Sequence, residues 1–281
     1  MKHPFLMAVL TFCIFSQYTF SQETKQPEKY TAHNKGKFYI FWGGNRESYS
    51  KSDIHFTGQD YDFTLYDVEA HDKPKGYHID YINPGRITIP QTNFRMGYFI
   101  TDHYNISIGL DHMKYVMYND KRVNYSGYYP NAGSYNENPT SNELTLSENF
   151  LTFEHTDGLN YINSEISRVD DVSKLFKIRN TDKFQINLTE GIGAGLLYPK
   201  TNAQLMGKER HDDFHVAGYG LSAKVGLNFT FFKHFFIQTE LKGGFIDMNS
   251  IQTTYQEDID KASQHFWFLQ RIINIGGIFK I

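Results

Sequence analysis

The chain has 281 residues, with 28 Lys and Arg against 31 Asp and Glu and a formal net charge of −3. That near balance, with no cationic tract, excludes a nucleic-acid surface. The single Cys, at position 13, falls in what reads as a leader, so a processed chain holds no thiol for a disulfide, a Cys-zinc centre or a Cys nucleophile.

The first element is a secretory signal peptide over residues 1–21. Met1-Lys2-His3 is a short basic start, Phe5 to Phe20 is largely apolar, and Thr19-Phe20-Ser21 places small residues three and one before a cut ahead of Gln22. Leu10-Thr11-Phe12-Cys13 has the Leu-to-Cys spacing of a lipoprotein signal, but Phe12 is bulky where a small residue is needed and little apolar sequence precedes it. Residues 22–36 form a polar linker, and residues 37–281 suffice for one domain. After Gln22 no stretch approaches the roughly eighteen apolar residues of a spanning helix.

Eight long β-like stretches follow, over roughly 37–50, 91–101, 104–118, 158–169, 183–198, 214–231, 234–249 and 264–281. The sixth shows the pattern best. From Ala217 to Phe231 every odd position is apolar, while Gly218, Gly220, Ser222, Lys224, Gly226, Asn228 and Thr230 stand between. Soluble strands run about five or six residues, whereas a tilted strand crossing a bilayer needs about nine to eleven. The sequence therefore predicts an all-β, closed antiparallel transmembrane β-barrel of eight strands. Thr101-Asp102-His103 and Phe232-Lys233 are tight periplasmic turns, and 51–90, 119–157, 199–213 and 250–263 are outer loops. The count becomes ten if Asp60 to Ala70 crosses as well. The connection 170–182 is longer than a usual periplasmic turn.

The same alternation sets Arg95, Asp111, Glu165, Lys224, Glu240 and Lys242 on the interior face. Eight strands leave a lumen just wide enough for side chains to fill. Buried charges must pair, so an internal ion-pair network is expected, with a proton or ion pathway as the alternative. Glu190 interrupts the oily face of Phe184, Ile186, Leu188, Ile192, Ala194 and Leu196. A bulge near Thr189-Glu190-Gly191, or a place near an interface, would relieve it. Arg271 is expected near the outer interface, in reach of lipid and lipopolysaccharide phosphates. Asn274 to Ile281 is similar to the C-terminal signal read by the barrel-assembly machinery.

Three phrases, Tyr49-Ser50-Lys51-Ser52-Asp53-Ile54-His55-Phe56, Phe153-Glu154-His155-Thr156-Asp157-Gly158-Leu159-Asn160-Tyr161-Ile162 and Gly207-Lys208-Glu209-Arg210-His211-Asp212-Asp213-Phe214-His215, resemble an uncharacterised family of Gram-negative outer-membrane β-barrel proteins. The resemblance extends from about Gly36 to the end. It implies fold and an outer-membrane location, and carries no functional residue with it. In architecture the chain is also similar to small eight-stranded outer-membrane proteins, whose roles range from anchors to lipid-modifying enzymes.

Catalytic candidates are few. No His is followed two residues later by Ser. Ser263 and His265 are two apart and would share a strand face, as a nucleophile and its base do. His155 and Asp157 flank the Gly158 turn and offer a base with an orienting acid. His211, Asp212, Asp213 and His215 offer imidazoles and carboxylates to a divalent ion, against which stands the charge-balanced look of a solvated loop tip. No cofactor is implied. The Tyr- and Asn-rich run Tyr125 to Asn136 suits a binding surface and equally a plain exposed loop. The functional expectation is a structural or surface-interacting barrel presenting 51–90 and 119–157, with a rim lipid-modifying enzyme or a narrow channel as alternatives.

Overall fold

The computed structural model describes residues 33–76, 78–79, 90–211 and 213–280. The expected leader, the linker up to residue 32, Asp212 and Ile281 lie outside the described residues. The strands run in chain order as β1 (Lys37–Tyr49), β2 (Ser52–Thr57), β3 (Asp62–Val68), β4 (Ala70–His71), β5 (Thr92–Phe99), β6 (Tyr104–Met113), β7 (Val116–Met117), β8 (Arg122–Tyr128), β9 (Glu143–Thr145), β10 (Leu151–Glu154), β11 (Leu159–Asp171), β12 (Phe184–Leu197), β13 (Asn202–Leu205), β14 (Gly218–Phe231), β15 (Phe235–Gln252) and β16 (Lys261–Lys280).

Eight of them close a ring in the order β1-β5-β6-β11-β12-β14-β15-β16, every neighbour antiparallel. β16 then pairs back onto β1, from Lys37↔Lys280 to Tyr49↔Phe268, so the ring has no free edge. One end carries tight turns. At Phe232 and Lys233 the backbone is left-handed, with φ of 51° and 66°, the two-residue geometry whose twist matches that of the flanking strands. The longer connection after β11 makes one 3₁₀ turn, Ser173–Phe176, and folds back on β12, where Ile186 N–H donates to Ser173 Oγ at 2.9 Å.

The period of two sorts the side chains as the sequence predicts. Outward positions expose large apolar groups all round the ring, among them Ile108, Ile166, Ile192 (67%), Leu221, Ile237 and Ile273 (62%). Inward positions bury Asn, Ser, Thr and charged residues. A closed ring with an oily exterior and a polar interior is the inverse of a water-soluble barrel, and hydrocarbon is the solvent it fits.

Glu190 is accommodated without a bulge. β12 pairs with β11 and β14 without a register shift, and Glu190 stands directly opposite Arg168. The guanidinium of Arg168 is held by Asp170, at 2.6 and 3.2 Å, and its positive charge faces Glu190 across the strand pair.

The other end corrects the expectation of open loops. β16 is 20 residues long, and its first turn of ladder, Lys261–Gln264, rises past the ring to pair with β2. From there the sheet continues through β3, β8 and β9, while β13, β10, β7 and β4 make a second small sheet. Within Asp60 to Ala70, β3 thus forms the far arm of a hairpin above the ring rather than a crossing, and Ala70 joins the second small sheet, which fixes the ring at eight. The stretch expected over 104–118 leaves the wall after Met113, because Val116 and Met117 join that second sheet. Residues 214–217, expected as strand, precede β14. These segments enclose a core of their own, with Phe56 stacked on Phe63 at 5.1 Å and Tyr115 on Phe266 at 5.1 Å, and with Phe150, Phe153, Leu65 and Met248 buried beside them. This dome caps the ring.

Candidate functional site

The six charged residues expected on the inward face meet in the middle of the lumen. Arg95 comes from β5, Asp111 from β6, Glu165 from β11, Lys224 from β14, and Glu240 and Lys242 from β15. Glu165 is the hub: Oε1 lies 2.9 Å from Arg95 Nη2 and 2.7 Å from Lys242 Nζ, and Oε2 lies 2.8 Å from Lys224 Nζ. Lys224 also reaches Glu240 Oε1 at 2.7 Å, and Lys242 reaches Asp111 Oδ2 at 2.7 Å. Three cations therefore answer three anions.

The register explains why the hub is needed. Lys224 and Lys242 are direct partners across β14 and β15. Like charges so placed repel, and the Glu165 carboxylate bridges them from across the lumen. Amides fill the remaining valences. Asn163 accepts from Arg95 Nη2 at 2.6 Å and donates to Asp111 Oδ2 at 2.9 Å, Asn93 donates to Asp111 Oδ1 at 2.5 Å, and Gln238 donates to Glu240 Oε1 at 2.8 Å. Glycines make the room. A Cβ at Gly109 would stand 2.9 Å from Arg95 Cζ, and one at Gly193 would stand 2.8 Å from Glu165 Cγ. Deleting one partner of such a buried set leaves an uncompensated charge, at a cost of about 3–5 kcal/mol.

On the turn side of this plug lies a cavity of about 560 Å³, lined by Tyr39, Asn105, Asn187, Thr189, Asn228 and Gln238, with Lys37, Arg179 and Lys233 toward its mouth. On the dome side the lumen is filled by Tyr161, Phe268, Phe266 and Tyr115. The cavity ends at the charge plug, and the plug ends at an aromatic seal.

The remaining candidates are spread over the dome and the outward face of β16. His155 is wholly buried in the dome, its Nδ1 2.9 Å from Thr201 Oγ1. Burial lowers its pKa to about 3. Asp157 turns outward to Lys200 at 3.8 Å, so base and acid part company. Ser263 and His265 share the outward face of β16, where His265 packs against Phe245 at 6.0 Å between ring centroids. His211 is buried edge-on to Tyr255, and His215 is half-buried with Nε2 2.9 Å from the Ser250 carbonyl. Burial also lowers the His215 pKa. Asp213 and His215 meet through the Asp213 backbone carbonyl at 3.5 Å, and Asp212 lies outside the described residues. Among the described residues no three His, Asp or Glu side chains converge as a metal site. Arg271, outward on β16, donates to Ser48 Oγ at 3.2 Å and to the Glu47 carbonyl at 3.3 Å.

Sequence reading passed over Glu47 and Asp72. Glu47 occupies an inward position of β1 and is buried, and its backbone N–H donates to Asp72 Oδ2 at 3.0 Å. Strand parity gives the direction of Glu47, since odd positions of β1 face in. Nothing local marks Asp72, which reaches the wall from the 51–90 connection.

No family model matches the chain, and no curated protein matches it. Among solved structures it is similar to outer membrane protein AlkL in lipid bilayers, at 8% identity over 92% of this chain and 98% of that one, with a TM-score of 0.37. It is similar to the outer membrane protein OprG from Pseudomonas aeruginosa at 9% identity, over 89% and 99% of the two chains, with a TM-score of 0.36. It is similar to Neisserial surface protein A at 10% identity, over 88% and 100%, with a TM-score of 0.32.

Proposed function

We propose that this chain is an integral outer-membrane β-barrel that anchors a folded dome at the cell surface, where the dome serves as a surface-interaction module. The observation that supports this reading is the division of the molecule. The ring is oily outside and plugged inside, while the connections at one end form a cored structure rather than gates over a pore. Sealed as it is, the barrel's use is mechanical, and recognition falls to the dome, which exposes Tyr118 and Tyr128. Lipid contacts along the ring, lipopolysaccharide phosphate near Arg271, and assembly through the C-terminal strand belong to the same proposal. The mouth with Lys37 and Lys233 then faces the periplasm.

The absence of any Cys after position 13 makes the topology testable by single-cysteine labelling. Tyr128→Cys should react with a membrane-impermeant maleimide on intact cells, and Lys233→Cys only after the outer membrane is breached. Reversed labelling, or recovery of the protein outside the outer-membrane fraction, refutes the reading.

A further inference from the structure

Above the charge plug a second group of acids lies at the seam between ring and dome, and the lumen cations are already committed. Arg95, Lys224 and Lys242 are matched one for one by Asp111, Glu165 and Glu240. Glu47 is 4% exposed, and its partner Asp72 brings a second carboxylate against it from the 51–90 connection. The amide of Gln91 spans both acids, Nε2 contacting Glu47 Oε2 and Asp72 Oδ1, and Gln270 Nε2 donates to Glu47 Oε1 at 3.0 Å.

Among the described residues no ion pair is formed by either acid. Two carboxylates so close in a site shut from water repel unless a cation or a shared proton intervenes.

The amides point to the cation. Gln91 and Gln270 are each 0% exposed, and the Oε1 atoms of both are buried without a hydrogen-bond partner. Asn45, two residues before Glu47 on the same inward face, leaves its Oδ1 in the same state. Amide oxygen and nitrogen are interchangeable by a half-turn of the group. Turning the Gln91 amide over would set an oxygen between the two carboxylates, an arrangement that a bound cation stabilises. Carboxylates joined by amide oxygens, with no sulfur or imidazole, are the donor set of a hard divalent ion. Ca²⁺ accepts such a flexible set of six to eight oxygens more readily than Mg²⁺, which demands a strict octahedron.

We infer that Glu47, Asp72 and Gln91, with Gln270 beside them, form a divalent-cation site that accepts Ca²⁺ and clamps the 51–90 connection to β1 and β16. The inference is independent of where the barrel resides and of what its dome recognises. Its test uses the whole protein purified in detergent micelles free of lipopolysaccharide, stripped with EDTA and titrated calorimetrically with CaCl₂ and separately with MgCl₂. Sites of this kind in extracellular modules have Kd values of about 10⁻⁴–10⁻³ M, so the titration extends to about 10 mM.

One equivalent of Ca²⁺ should bind, raise the Tm, and slow proteolysis of the dome. Glu47→Gln and Asp72→Asn should each weaken binding about tenfold or more. A boiling-dependent gel shift verifies that the variants are folded. Gln91→Leu keeps both carboxylates and serves if either acid variant fails to fold; it too should weaken binding. No binding of either metal to the folded wild type overturns the inference. So does unchanged affinity in the variants, which puts the ion elsewhere, and so does stabilisation by acid without any response to metal, which means that the pair shares a proton.

Discussion

His155 sits between Tyr115 and Phe153, with ring centroids 5.5 and 5.0 Å away, and bonds Thr201 through Nδ1. Burial takes its pKa from the usual 6.5 to about 3, so in the folded protein it stays neutral where an unfolded chain would protonate it. The sign follows from proton counting. Between about pH 6.5 and pH 3 the unfolded state holds the extra proton, so stability falls as pH falls through that window; above 6.5 the group contributes nothing. At about 1.4 kcal/mol per pH unit, the loss reaches about 2 kcal/mol at pH 5. His155→Gln keeps a polar partner for Thr201 and cannot titrate. Denaturant unfolding at pH 7.5 and pH 5 should therefore show wild type losing about 2 kcal/mol more than the variant. His215 titrates in both proteins and cancels. Equal losses would show that the ring is not sealed from water. His155 packs against aromatic rings of the dome, and Asp157 turns away from it toward Lys200.

At the level of elements, the dome depends on a single hairpin. β2 and β3 extend the ring sheet from the end of β16, and Phe63 on β3 touches Phe56, Phe150, Tyr129 and Tyr61, with centroids 5.1–5.9 Å apart. Phe63→Ala should cost about 3–5 kcal/mol, and the loss falls on the dome because the rings that Phe63 packs on, Phe56, Tyr61, Tyr129 and Phe150, all belong to it. Limited proteolysis should then cut within 119–157 much faster, while the boiling-dependent gel shift of the closed ring persists. Loss of the gel shift as well would mean that ring and dome fold as one unit. The same hairpin shows what the sequence could and could not disclose. Strands of the ring are long and two-faced, so Ile106-Ser107-Ile108-Gly109 or Leu221-Ser222-Ala223-Lys224 declares its role without knowledge of a partner. Ile54 and Phe56, or Phe63 and Leu65, alternate over too few residues to separate a dome strand from a crossing, and β3 finds β8 some sixty positions away. In the lumen, parity marked the six charges as interior. That Glu165 bridges two facing lysines depends on register across four strands, which no local pattern holds. Glu190 was legible as a conflict, but the cation opposite it in register, Arg168, lies one strand over.

For the whole molecule, the question is whether a closed ring of eight strands conducts. Two barriers stand in series along its axis. The first is the plug of Arg95, Asp111, Glu165, Lys224, Glu240 and Lys242, in which each charge is held by an opposite charge at 2.9 Å or less. The second is the aromatic seal of Tyr115, Phe266, Phe268 and Tyr161, whose rings fill the bore while the two tyrosine hydroxyls are bonded to Gln264 and to the Gly220 carbonyl. The cavity of about 560 Å³ therefore opens toward Lys37 and Lys233 and ends blind. Purified protein in planar bilayers should give a flat trace at moderate voltages of either sign. Lys242→Met disturbs the plug and leaves the seal, so it should remain closed; Tyr115→Ala with Phe266→Ala thins the seal and leaves the plug, so it should remain closed too. The three substitutions together remove both barriers, and discrete steps should appear in that variant alone. Steps in the wild type would mean that the plug is a relay for ions and the dome a gate. Steps in either partial variant would mean that one barrier does all the closing, and the order of the two results would name which.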